Sequence, residues 1–183
     1  MSSSKAEAKL AVAAGRTAGK VARPAASATF VGVKEEFQRP VAIKGTQLYL
    51  LDPQERIAVI RQGIDASMIG NLSLRMGMSK ENLLSSLGLS RATISRKEKD
   101  ATLLSKDESE RVLGVETLIG MVQTMVEQSG DPSGFDAARW VSNWLSKPLP
   151  ALAGATPASY MDTFEGQKLV AELLSMSQSG AYA

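Results

Sequence analysis

From Pro148 to Ala183 the chain reads PLPALAGATPASYMDTFEGQKLVAELLSMSQSGAYA. Its second half is patterned as a helix: Phe164, Leu169, Val170, Leu173, Leu174 and Met176 recur mostly at helical spacing. Thr163 is placed to cap that helix, and Glu165 puts a negative charge in its first turn, beside the positive end of the helix dipole. Gly180 is a stop signal, because glycine accepts the left-handed conformation that a helix C-cap needs. The residues that follow, Ala181, Tyr182 and Ala183, are then free to enter something outside the helix. The composition agrees. Hydrophobic residues make up 44% of the chain and aromatics only 5%, which favours helices packed by Leu, Ile, Val, Ala and Met. The expected fold class is all-α.

Further back, Ser79 to Lys97 reads SKENLLSSLGLSRATISRK and has the form of a helix-turn-helix. Ser79 caps a first helix from Lys80 to Leu87, Gly88 makes the turn, Leu89 tucks under, and Ser90 caps a second helix. Two short helices crossing at a wide angle need a turn residue that tolerates positive φ. Ile94 would face Leu83 and Leu87, leaving Arg91, Thr93, Ser95, Arg96 and Lys99 on the other side. Arginine pairs bidentately with guanine, and serine or threonine hydroxyls reach bases or phosphates, so Ser90, Arg91, Thr93, Ser95, Arg96 and Lys99 are the candidate DNA-binding residues. The alternative is an ordinary helical hairpin with a solvated basic face. Two positions depart from the most regular pattern: Leu84, where a small residue is usual, and Lys97, where an apolar one is common.

The remaining helices are marked by their caps. Asp52, Pro53 and Glu55 spell a helix start, with Ile57, Ile60 and Ile64 on one side and Gly63 closing it. A second helix is expected from about Ala66 to Arg75, with Met68, Ile69, Leu72 and Met76 inward. Ser105 and Glu108 form a capping box that opens a long helix. Its stripe of Val112, Val115, Leu118, Ile119, Val122, Met125 and Val126 is core or a dimer seam. A Gly/Pro loop from Gly130 to Gly134 precedes a helix over about Phe135 to Leu145 that brings Ala137, Trp140, Val141 and Trp144 together. Paired tryptophans mark either the core of a C-terminal module or an exposed anchor for a partner.

Charge is distributed unevenly. Residues 1–45 carry 8 basic and 3 acidic side chains, residues 46–100 carry 8 and 6, and residues 101–183 carry 5 and 10. A front half that attracts polyanions and a back half that repels them suggests two surfaces for two partners. Residues 1–45 read as a basic, partly ordered arm rich in Ala, Ser, Gly and Lys, able to touch a nucleic-acid backbone. A transit peptide shares that composition, but the regulator-like remainder argues against one. The chain has no Cys and no His, which removes disulfides, thiol nucleophiles, histidine bases and Cys/His zinc sites. No catalytic constellation, cofactor motif or membrane-length apolar run is visible.

The stretch from Pro148 resembles the C-terminal toxin-binding domain of the Xre/ParS/MbcA antitoxin family. The matching residues are Pro148, Leu152, Gly154, Thr156, Pro157, Asp162, Thr163, Gly166, Val170, Leu174, Gly180, Tyr182 and Ala183. Members often carry a second Gly and an Arg around Gly154, and a His before the terminal Gly; here Ala153, Ala155 and Ser179 stand there, so no side-chain role is carried over to them. The resemblance implies a cytoplasmic, non-enzymatic antitoxin of a type II pair. It implies an Xre-like helix-turn-helix domain over 46–130, including the long helix, and a toxin-binding domain over 131–183. The partner would be a RES-domain toxin with an ADP-ribosyltransferase-like fold that degrades NAD. Inhibition would come from Ser179, Gly180, Ala181, Tyr182 and Ala183 entering or covering the toxin's active site, with the Ala183 carboxylate where a phosphate would sit. A tyrosine offers roughly 150–250 Å² of surface, and burial at about 25 cal/mol per Å² supplies at most ~4–6 kcal/mol. Alternatively Tyr182 folds back on its own helix. A homodimer would bind a palindromic operator and repress its own genes. The rival reading is a helix-turn-helix regulator whose C-terminal module takes a small molecule or another protein.

Overall fold

Residues 45–130 and 132–178 are described by the computed structural model, Gln178 by its backbone alone. Among them every regular element is helical, apart from an isolated antiparallel bridge between Asp65 and Leu103. The α-helices are α1 (Gly45–Leu50), α2 (Pro53–Gln62), α3 (Met68–Met76), α4 (Lys80–Ser86), α5 (Arg91–Lys99), α6 (Lys106–Ser129), α7 (Ala137–Leu145) and α8 (Phe164–Gln178). Short 3-10 turns at Pro150–Leu152 and Pro157–Tyr160 fill the link between α7 and α8. The all-α expectation holds.

Local chemistry sets most of the boundaries. Asp52 accepts from the amides of Gln54 and Glu55, while Glu55 reaches back to the Asp52 amide at 3.1 Å, with Pro53 at the first helical position. Ser105 and Glu108 make the same reciprocal cap at the start of α6. Each such cap satisfies amides that the first turn would otherwise leave without partners. Thr163 caps α8 through the Gly166 amide at 3.1 Å.

The 24-residue α6 is the spine. At about 1.5 Å per residue it runs some 36 Å. Val112, Leu113, Val115, Leu118, Ile119 and Val122 are buried, so this stripe is core, and α1, α2, α7 and α8 all pack on it. Met125 and Val126 complete the stripe only half-buried. The same core takes in Leu83, Leu87 and Ile94 of the front helices and Val141, Leu145, Val170 and Leu174 of the back ones, without a break at residue 130. Two close approaches fix the geometry. A Cβ on Gly120 would lie 2.0 Å from the Gly45 carbonyl oxygen, so α1 crosses α6 backbone to backbone. A Cβ on Gly114 would lie 1.8 Å from Gln167 Oε1, where α8 leans on α6.

Some inward assignments change. Ile57 is 45% exposed, and Val59 is the α2 residue that is buried. Phe164, Leu169 and Met176 are also exposed, because α8 turns Gly166, Gln167, Val170, Leu173 and Leu174 to the core. Leu48 is buried in a separate short helix, α1, ahead of the cap at Asp52. Glu116 is buried in α6 and bonds Arg75 Nη1 of α3 at 2.7 Å. Burial pushes its carboxyl above the usual range, and the Arg75 charge only partly offsets this.

Candidate functional site

The expected helix-turn-helix is present, built as its sequence indicated. Ser79 Oγ accepts from the Asn82 amide, Gly88 sits at φ 59°, and Ser90 Oγ accepts from the Thr93 amide at 3.4 Å. Leu83, Leu87 and Ile94 are each 2% exposed or less, which fixes the angle between α4 and α5. Leu84 is buried beside them, so the larger side chain at that position is accommodated by the core. Lys97 pairs with Glu108 of α6 at 2.5 Å, both mostly buried. An ion pair thus fills the position where an apolar residue is common. Burial would raise the Glu108 carboxyl, but the Lys97 ammonium and the Ser105 amide outweigh it and hold it below its usual value.

On the outer side of α5, Arg91, Ser95 and Lys99 follow one another at four-residue intervals and lie in a row, with Arg96 beside them; all four are exposed. Thr93 is half-buried and off this row, and Ser90 is exposed at the helix start. Arg91 lies 3.4 Å from Glu81 in a pair open to solvent, which costs it little freedom. Lys80 and Glu98 pair with each other, so Lys80 is not part of the basic row.

The turn is held from outside the motif. Arg111 Nη1 of α6 donates to the carbonyls of Leu87 and Gly88, both at 3.1 Å. The Arg111 carbonyl in turn accepts from Gln167 Nε2 of α8 at 3.0 Å, and Gln167 Nε2 also donates to the Met161 carbonyl at 2.8 Å. Neither Arg111 nor Gln167 stands out in the sequence. A polar residue on a long helix and a glutamine on an apolar face carry no local signal of a bond made across 56 positions of chain.

In the back half, α7 buries Ala137, Ala138, Val141 and Leu145. Trp140, 38% exposed, stacks on Trp144 with centroids 6.3 Å apart and planes 10° apart, and Phe135 tilts against Trp140 at 6.5 Å. Of the alternatives for the tryptophans, Trp140 is the outward one. Trp144 is half-buried against the core. A cavity of about 500 Å³ opens between α2, α6 and α8, with Ile57, Ile60, Leu113, Leu118 and Phe164 in its walls. The five expected toxin-binding residues, Ser179, Gly180, Ala181, Tyr182 and Ala183, lie outside the described residues, as do the stop at Gly180 and the arm over 1–45 except Gly45, which begins α1. Among the described residues no acidic cluster could hold a metal ion, and no helix is long and apolar enough to cross a membrane.

Comparison with known proteins adds three findings. Residues 55–115 match the antitoxin Xre-like helix-turn-helix domain family. Residues 135–180 match the antitoxin Xre/MbcA/ParS C-terminal toxin-binding domain family. A protein of Sphingobium sp. (strain YBL2), named Prs ADP-ribosylating antitoxin, is 42% identical over 144 residues, spanning 79% of this chain and 89% of that protein.

Proposed function

The chain belongs to the Xre/MbcA/ParS antitoxin family, and we propose that it silences an NAD-consuming toxin by placing Ser179, Gly180, Ala181, Tyr182 and Ala183 in or over the toxin's active site. Family membership makes it a protein inhibitor that binds a cognate toxin, not an enzyme. The name of the Sphingobium relative links it to ADP-ribosylation. That chemistry breaks the bond between nicotinamide and ribose in NAD, as does NAD degradation by a RES-domain toxin, so both need a cleft for the dinucleotide. The observation that carries the proposal is the course of α8. Capped at Thr163 and packed through Val170 and Leu174, it runs to Gln178 within the toxin-binding match, and the five proposed residues follow it in the sequence. The test is co-purification with the toxin followed by an NAD-turnover assay. Tyr182→Ala should leave the complex intact but lower inhibition by at least ~10-fold; undiminished inhibition overturns the proposal.

The front domain, over 46–130, would bind operator DNA as a homodimer and repress its own promoter in the cytoplasm, with the basic arm over 1–45 adding backbone affinity. The exposed row of Arg91, Ser95 and Lys99, with Arg96 beside it, supports this reading. The domain over 131–183 would hold the toxin. One observation favours the rival regulator reading: the cavity between α2, α6 and α8 is large enough for a small molecule. A ligand-induced rise in melting temperature with no toxin present would support it.

A further inference from the structure

We infer that one side of α8, formed by Glu165, Leu169, Glu172 and Met176, is a second toxin-contacting surface that seats the basic rim of the toxin's NAD cleft. The inference rests on the tail reading above but concerns residues that the tail does not include. These four side chains follow at spacings of four, three and four, which places them on one side of the helix, and all are exposed. The opposite side carries Val170, Leu173 and Leu174 into the core. Leu169 and Met176 are 37% and 39% exposed, so the stripe alternates acid with apolar.

Reach brings the far end of this surface, at Glu172 and Met176, close to a partner that takes Tyr182. Tyr182 is four residues beyond Gln178. Four residues span at most about 14 Å fully extended. Glu172 lies only about 9 Å back along the axis from Gln178. A globular partner with Tyr182 in its cleft therefore approaches the last two turns of α8. The exposed apolar group on those turns is Met176, and Leu169 continues the same side one turn further back, about 14 Å from Gln178 along the axis.

Charge names the partner's chemistry. A cleft that binds a pyrophosphate needs cationic donors around it. The stripe offers Glu165 and Glu172, and α8 has no basic residue in its last turn to offset the negative end of its dipole. Lys168 turns instead toward the cavity shared with α2. Acidic stripe and basic rim are complementary, and the apolar residues between them give the contact area.

Binding, rather than inhibition, is the readout. The cognate toxin is titrated with the full chain and with a chain ending at Gln178, each with and without Leu169→Lys plus Met176→Lys. Leu74→Lys on α3, a 77% exposed leucine outside the toxin-binding match, is the control for a general surface effect. The double substitution should weaken toxin binding at least ~30-fold in both backgrounds, with the control unchanged. Glu165→Lys plus Glu172→Lys should weaken binding and flatten its salt dependence. Stripe variants that bind as tightly as their parents overturn the inference, and so does a chain ending at Gln178 with no residual affinity. Failure of the tail reading looks different: the shortened chain would inhibit as well as the full one.

Discussion

The contact between α6 and α8 makes Gly114→Ala a substitution whose sign should depend on a second residue. A Cβ on Gly114 would meet Gln167 Oε1 at 1.8 Å and Cδ at 2.5 Å. To accept it, the buried Gln167 amide must leave its two carbonyl partners, Arg111 and Met161. At about 1 kcal/mol per neutral hydrogen bond, and more for an amide left buried without partners, that costs roughly 2–3 kcal/mol. Alanine in a helix interior recovers about 0.8–1.0 kcal/mol relative to glycine. Gly114→Ala should thus destabilise the protein by about 1–2 kcal/mol. In a Gln167→Ala background the obstructing amide is gone, and the same substitution should stabilise by about 0.5–1 kcal/mol. Urea denaturation of the four proteins, followed by far-UV circular dichroism, gives the cycle. Destabilisation of the same size in both backgrounds would show that Gln167 is not what Gly114 makes room for.

Gly120→Ala should cost about 2–3 kcal/mol, since the atom it meets is the Gly45 backbone oxygen and only movement of α1 relieves it; hydrogen exchange should quicken in residues 45–51. Glu108→Gln tests the ion pair with Lys97. The Glu108 carboxyl is held below its usual value, so its contribution is present above the ordinary glutamate pKa and is lost as pH falls through the folded value. The variant should be about 1–2 kcal/mol less stable at pH 7, and the gap should shrink in melting curves taken below about pH 4.3. Arg91→Ala plus Arg96→Ala should weaken operator binding and lower its salt slope by up to about 2, measured by fluorescence anisotropy, while toxin inhibition is unchanged.

Features set by near neighbours in the chain were legible from residues alone. The caps at Asp52, Ser79, Ser90, Ser105 and Thr163 depend on partners within three positions and stand as expected. The helix-turn-helix is equally local: Gly88 and the Leu83, Leu87, Ile94 trio need no distant help to define a turn. What escaped the sequence is what a neighbouring helix decides. Ile57 has the spacing of a core residue, yet it is exposed in the wall of the cavity that α2 shares with α6 and α8. Phe164 is apolar and sits in the first turn of α8, but the fully buried side of that helix starts at Gly166. Helix α1 is too short to show a period, and its docking depends on Gly45 meeting Gly120 far along the chain. Arg111 and Gln167, which tie the back half to the turn of the helix-turn-helix, are invisible for the same reason.

Steady-state kinetics of the cognate toxin at varied NAD, with the full chain and a chain ending at Gln178 as inhibitors, tests the proposed role of Tyr182 most directly. The full chain should raise the apparent KM for NAD without lowering kcat, and the shortened chain should have lost at least ~100-fold of that inhibition. A fall in kcat at unchanged KM, produced equally by both chains, would mean that the toxin is silenced from somewhere other than its dinucleotide cleft.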